Sequence, residues 1–282
     1  MTARILWGKE VAEPILDALR ARVAVLRDRE IYPTLVFVTL GESPEAQMYV
    51  HRLERLARRT GIAVDQRNLP DDVSRAVLDA TLGTLNEQVD VDGVIVQMPL
   101  PEHLKSVDLA NIVDARKDVD GSTVVNVGRL YLGTPERIAS TGVAMLEILR
   151  HAGVDPAGLH AVVVGRSQVV GRPVAELLLQ CDATVTVTHR QTRDLAYFTR
   201  QADLLLVGAG HPHLITADMI RPGAMVIDAG INVTAGGMVG DVDFDACLPI
   251  AAAITPVPGG VGPVTNAVLL GNVVDSANQR PV

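Results

Sequence analysis

The residues with the plainest chemical capacity lie between Ala161 and Pro173, in AVVVGRSQVVGRP. An apolar β-branched run ends at Gly165, turns through Arg166 and Ser167, and restarts at Gly171, Arg172 and Pro173 ahead of the apolar AELLL. This reads as a buried strand, a glycine-bracketed loop and a helix with proline in its first turn. Such a turn aims backbone N–H groups at whatever lies over the helix start, which suits a phosphate. The spacing is not the strict dinucleotide fingerprint, because Ser167 replaces its second glycine. A second β-rich run, ATVTVTH, ends at His189 and is followed by Arg190. A base at this place suits a ribose 2′-phosphate, so Arg166 and Arg190 together point to NADP, against the plainer reading of two solvated arginines on an ordinary strand–loop–helix.

The elements that must carry this loop alternate along the chain. Val11 to Leu26 has helical periodicity, LVFVTLG reads as a buried strand, and Ser43-Pro44-Glu45 as a cap, an N1 proline and a first-turn acid opening a helix to about Thr60. AVDQRNLP is a short strand, Val73 to Leu85 a helix, and VDGVIVQMPLP a strand running into a proline-rich loop. LLLVGAG and MVIDAG repeat the pattern later, so parallel β-α-β units are expected. The stretch KDVDGSTVVNVGRLYLGTPERIAST lacks periodicity and places a domain change near Ser140. ITPVPGGVGPVT, Ile254 to Thr265, is either a plain linker or a backbone surface shaped for a ligand, and Asn266 to Asn278 is a helix packing back.

With 282 residues the chain can form two domains, and 48% hydrophobic against 21% charged residues is ordinary for a globular protein. A net charge of -8 without a basic run argues against nucleic acid as a partner. Cys181 and Cys247 make no disulfide framework, no run is long enough for a membrane span, and the N-terminus has no signal pattern, so a cytoplasmic location is expected. His211-Pro212-His213 resembles a metal pair but lacks a clustered third ligand, so no metal is expected. The arginine-rich face from Arg52 to Arg59 reads as a solvated helix surface.

Together GRSQVVGRP, DAGIN (Asp228 to Asn232), GDVDF (Gly240 to Phe244), TPVPGGVGP (Thr255 to Pro263), VQMPLP (Val96 to Pro101) and KDVDG (Lys117 to Gly121) make the chain resemble the bifunctional methylenetetrahydrofolate dehydrogenase/cyclohydrolase family over nearly its whole length. The resemblance implies a two-domain α/β fold. Residues 1–140, a three-layer α/β domain completed by 262–282, would form the folate and catalytic part, and 141–261 a Rossmann-like NADP domain, with a folate cleft between them and a homodimer as the assembly. The cofactor set it implies is Gly165, Arg166, Ser167, Val170, Gly171, Arg190 and Ile231. Tyr49 would line the pterin site, Gln97 would lie near the reacting carbon, and Asp120 would recognise the pterin ring. Pro258, Gly259, Gly260 and Pro263 would complete the substrate site. A buried acid facing a pteridine can accept paired hydrogen bonds from its amino group and ring N–H, although Asp120 also reads as a turn former in DVDG.

One departure concerns the chemistry directly. The family pattern has a lysine four residues after the tyrosine, and in the ungapped run from Tyr49 to Gly61 that position is Leu53. Ala46 stands where the family has serine, Ser122-Thr123-Val124 where it has phenylalanine-histidine-proline, and Arg137-Ile138-Ala139-Ser140 where it has proline-cysteine-threonine-proline. Hydride transfer from methylenetetrahydrofolate is driven by the ring nitrogen's lone pair and needs mainly positioning. Hydrolysis of the methenyl cation needs a group that moves protons. Leucine has no proton to move, so dehydrogenase activity is expected and cyclohydrolase activity weak or lost. Arg52 stays protonated near neutrality, and His51 should point away from the face of Tyr49, so neither substitutes for the lysine. A same-fold oxidoreductase on another substrate and a non-catalytic folate- or NADP-binding protein remain the alternatives.

Overall fold

The computed structural model describes residues 2–41 and 44–280, without the side chains of 44–46. Ser43, expected to cap the second helix, therefore lies outside the described residues, as do the side chains of Pro44, Glu45 and Ala46. In chain order the elements are β1 (Arg4–Ile5), α1 (Gly8–Arg27), β2 (Thr34–Leu40), α2 (Pro44–Thr60), β3 (Ala63–Leu69), α3 (Arg75–Glu87), β4 (Gly93–Val96), α4 (Leu109–Ile112), α5 (Val124–Tyr131) and α6 (Ser140–His151). Then follow β5 (His160–Val164), α7 (Gly171–Gln180), β6 (Thr184–Thr188), α8 (Leu195–Thr199), β7 (Leu204–Val207), β8 (Met225–Asp228), β9 (Asn232–Thr234), β10 (Gly237–Val239), α9 (Phe244–Cys247), β11 (Ala253–Ile254) and α10 (Val261–Asn278).

The chain divides into two compact units. One comprises residues 1–13, 130–134 and 139–266, the other residues 14–129, 135–138 and 267–282, so α1 and α10 each contribute to both. The first unit is built on a six-stranded sheet in the order β1-β11-β8-β7-β5-β6, paired in parallel throughout. Val162, Val164, Leu205, Val207, Val226 and Ile254 fill one core of this unit. Central strands covered on both faces read as continuous apolar runs, which is why HAVVV and LLLV are plain in the sequence. The second unit holds a three-stranded parallel sheet, β3-β2-β4, in which Val38 pairs with Val96 and Leu40 with Leu69.

Three segments differ from the expectation. The stretch after Gly121 contains a helix, α5, although its β-branched run and internal glycine are poor helix formers. A buried carboxylate supplies the missing start signal: Asp118 accepts from Thr123 N and from Asn126 Nδ2, both at 2.8 Å. Between β7 and β8 there is only a 3₁₀ turn, Ala217–Met219, rather than a crossover α-helix. Finally, α10 begins at Val261, inside the glycine- and proline-rich run, five residues before the expected start.

Within the second unit Arg280, just after α10, is tied to the start of β4 by an ion pair. Arg280 Nε lies 2.6 Å from Asp92 Oδ1 and its Nη2 2.5 Å from Oδ2, and Asp92 also accepts from Thr34 N at 2.8 Å. Burial pushes the Asp92 carboxyl up, against the pull of the Arg280 bonds, so its charge depends on those partners. Arg280→Ala should cost about 3 kcal/mol at neutral pH by leaving this carboxylate unpaired. The deficit should shrink as pH falls and Asp92 takes up a proton, which urea unfolding at several pH values would measure.

Candidate functional site

In the first unit the loop between β5 and α7 is held by backbone-on-backbone contact. Gly165 has φ +120°, and a Cβ placed on it would lie 2.2 Å from the carbonyl oxygen of Gly208. A Cβ on Gly171 would lie 2.1 Å from the oxygen of Gly165. No other residue type fits either position without moving the chain, so α7 starts directly against the end of β5. Ser167 Oγ accepts from Val170 N at 3.2 Å and closes the turn, leaving Arg166 exposed beside it. Arg190 follows β6 on the same edge of the sheet, partnered by pairing of Val164 with Thr188. The arrangement can receive a dinucleotide phosphate at the start of α7, with two cations near the adenosine side.

The opposite wall of this site is not legible as such in the sequence. Asp241 accepts from Ala209 N, Gly210 N and His211 N at 2.6, 2.8 and 2.8 Å, and from Asn232 Nδ2 at 2.8 Å. One carboxylate thereby folds the loop after β7 against the DAGIN segment and fixes the backbone around Ile231, whose side chain is exposed. Asp228 accepts from Gly230 N and Val242 N, each at 2.8 Å, and burial pushes its carboxyl up to about 6. The sequence contains both acids within DAGIN and GDVDF, yet nothing in their spacing shows that Asp228 binds Val242 N while Asp241 binds the Asn232 side chain and the loop after β7. His211 belongs to this turn through its backbone. Among the described residues no group of three His, Cys, Asp or Glu is placed to hold a metal.

The glycine- and proline-rich run is a built surface rather than a linker. Gly8 N donates to Gly259 O at 2.8 Å, and a Cβ on Gly8 would lie 1.8 Å from the oxygen of Gly260. The Val257–Pro258 peptide bond is cis, and the Trp7 ring packs under Gly259. Pro258 and Pro263 flank this contact, Pro263 within the first turn of α10.

In the second unit Gln97 and Asp120 lie beyond the carboxyl ends of parallel extended segments, and Tyr49 lies in the N-terminal half of α2, the helix that follows β2. Gln97 follows β4 directly, and Asp118 bridges Val94 in parallel, which brings Gln97 and Asp120 just beyond the ends of neighbouring extended segments. Ligands of open parallel sheets bind at such ends. Gln97 N donates to Val38 O at 2.9 Å while its side-chain Nε2 donates to Met98 O at 2.9 Å, ahead of a cis Met98–Pro99 bond. Tyr49 stands edge-on to Phe37 with ring centroids 6.4 Å apart. Burial, then the charge of Asp120, holds the Tyr49 hydroxyl well above its ordinary range, so it remains a donor. Asp120 is half-buried, and burial with the neighbouring Asp118 pushes its carboxyl up to about 6.

Leu53 lies one turn beyond Tyr49 on α2 and is fully buried. Arg52 and His51 are both exposed, and His51 Nδ1 sits 2.7 Å from Gln47 O. A cavity of about 760 Å³ in this unit is lined by Thr39, Gln47, His51, Asn68 and Asp71 among others, none of them an expected substrate residue.

Both units are similar to known proteins. Residues 139–281 match the model of the tetrahydrofolate dehydrogenase/cyclohydrolase NAD(P)-binding domain and residues 6–120 that of the catalytic domain. A protein from Chloroflexus aggregans named bifunctional protein FolD is 45% identical over 282 residues, 99% of each chain. The crystal structure of the bifunctional methylenetetrahydrofolate dehydrogenase/cyclohydrolase FolD from Campylobacter jejuni superposes with a TM-score of 0.95 at 38% identity, covering 99% of this chain and 100% of that one. A Trypanosoma brucei methylenetetrahydrofolate dehydrogenase-cyclohydrolase, solved with NADP and an inhibitor, gives 0.93 at 36% identity, covering 99% and 98%.

The contact of Gly171 with Gly165 sets a stringent test of the loop. Gly171→Ala should lower stability by about 3 kcal/mol, at the upper end of the usual cost of overpacking, because the atoms it meets are backbone. Thermal and urea unfolding against the parent chain would measure it.

Proposed function

Because the chain belongs to the tetrahydrofolate dehydrogenase/cyclohydrolase family, we propose that it oxidises methylenetetrahydrofolate to methenyltetrahydrofolate with NADP and that its cyclohydrolase activity is weak or lost. The observation that carries the second half is the inward face of α2, where Tyr49 is followed one turn later by a fully buried leucine. NADP, when bound, supplies the hydride acceptor. Gly165, Arg166, Ser167, Val170 and Gly171 hold its phosphates at the α7 start, Arg190 takes the 2′-phosphate, and the backbone at Ile231 lines the nicotinamide side. The glycine contacts that leave no room for a side chain there support this reading.

Asp120 accepts from the pterin's amino group and ring N–H, and Tyr49 and Gln97 orient the reduced ring and its one-carbon unit. The ring nitrogen's lone pair expels the hydride, so no protein base is required and orientation supplies most of the rate. Hydrolysis of the methenyl product would require a side chain that takes a proton from water and returns one to the opening ring. Leu53 offers neither, while Arg52 and His51 are exposed. Pro258, Gly259, Gly260 and Pro263 complete the substrate-binding set. The expected folate and catalytic part, residues 1–140 with 262–282, differs from the compact units in that residues 1–13, 130–134, 139–140 and 262–266 group with the expected NADP domain, 141–261. We take the active form to be a cytoplasmic homodimer. Pairing of β3 on one side only, with β2, leaves an edge that a second copy could use, and no described helix is long and apolar enough to cross a membrane.

Purified protein should form NADPH from methylenetetrahydrofolate while the methenyl product accumulates, decaying no faster than in buffer. Leu53→Lys should raise methenyl hydrolysis by about 100-fold, the usual contribution of a positioned acid–base group. Brisk hydrolysis by the parent chain would overturn the loss, and binding of NADP without any folate would favour a different substrate. Since Asp120 serves as an acceptor, kcat/KM for the folate should fall about tenfold per pH unit below about 6, as its carboxyl takes up a proton.

A further inference from the structure

Asp120 sits at the end of an irregular segment, residues 114–121, that is tied at almost every residue. Lys117 Nζ donates to Leu85 O and Gln88 O at the end of α3, at 2.6 and 2.5 Å. Val94 N donates to Lys117 O at 2.8 Å, and Asn126 Nδ2 donates to Ala115 O at 2.9 Å. The last two ties come from α10, more than 150 residues away in sequence. Ser276 Oγ donates to Arg116 O at 2.8 Å while receiving Arg137 Nη2 at 3.1 Å. One turn earlier, Asn272 Nδ2 donates to Val119 O at 2.8 Å, inside a setting where Val119 is fully buried.

The Val119 carbonyl belongs to the peptide unit that joins Val119 to Asp120. Holding that oxygen fixes the tilt of the peptide plane and, through it, the direction in which the Asp120 side chain leaves the backbone. The bond is made by an amide more than nine-tenths buried, so its loss removes a hydrogen bond at a place where water does not readily take the donor's position. A carboxylate that must meet two N–H groups of a flat ring at once is sensitive to such a change, since displacements near 1 Å cost about 100-fold at positioned groups.

We propose that Asn272 is a positioning residue for the pterin-recognising carboxylate, setting folate affinity through the Val119–Asp120 peptide without touching substrate. This rests on the assignment of Asp120 to the pterin. Asn272→Ala should raise KM for methylenetetrahydrofolate at least tenfold, with kcat at saturation within about threefold and KM for NADP unchanged. Asn272→Asp, which keeps the volume but removes the donor when ionised, should show the same split. Amide exchange measured by mass spectrometry on the NADP-bound protein should accelerate at least tenfold across 118–121 in both variants, with β2 and β4 unchanged. An unchanged folate KM in a folded variant would overturn the proposal, as would a parallel loss of kcat and NADP affinity. If neither variant folds, Asn272 is a folding residue and the proposal falls. Should the parent chain turn over no folate while exchange responds as expected, the clamp stands and the ligand assignment is what fails.

Discussion

A carboxylate removed from water must be given donors, and this chain uses that requirement to shape the loops that the strands cannot shape. Asp92, Asp118, Asp228 and Asp241 are all nearly or wholly buried; Asp92 holds Arg280 and the start of β2, while the other three accept backbone N–H groups from turns and helix starts. The partners are specific: the start of α5 for Asp118, the turn after β8 for Asp228, and the loop after β7 for Asp241. Because an unsatisfied buried acid costs far more than any one bond contributes, each loop has one geometry in which every donor and acceptor is matched. The apolar sheets supply the bulk of stability, and these acids decide where the connecting backbone lies.

That division explains what could be read from the sequence. Continuous apolar runs do not depend on distant partners: Val162 to Val164, Leu204 to Val207 and Leu35 to Val38 are buried wherever they pair, so their strand character was visible locally. The glycines of the α7 start were visible for the same reason, since a backbone contact that excludes a side chain leaves its mark on the residue type. α5 was not visible. Its start signal is Asp118, outside the helix, and VVNVGRLY alone argues for extended chain. The early start of α10 was masked by PVPGGVGP, whose turn residues describe the contact of Gly8 with Gly259 better than they describe the helix that follows.

The residues proposed for the reaction centre are legible only through the family resemblance, not through a local pattern. Tyr49, Gln97 and Asp120 occupy three different segments, and only the parallel order β3-β2-β4 with the bridge from Val94 to Asp118 gives their elements a common end. Leu53 shows the limit from the other side. As one member of the apolar stripe of α2 it needs no explanation, and its meaning comes entirely from its place one turn after Tyr49 in a family that keeps an amine there. On the proposed function, a hydrocarbon in place of an ammonium group would leave hydride transfer, which depends on orientation, and remove the means of moving a proton, so the two activities of a shared pocket would be separable at a single residue.

The pairing of β1 with β11 has a bearing on how the molecule comes into being. Arg4 and Ile5 find their hydrogen-bond partners in Ala253 and Ile254, near the opposite end of the chain. During synthesis β1 must therefore stay unpaired until the long stretch that separates it from β11 has been made, because sheet contacts of such long sequence separation close late. A two-residue strand carrying an exposed arginine is well suited to that delay, being too short and too polar to template aggregation while it waits.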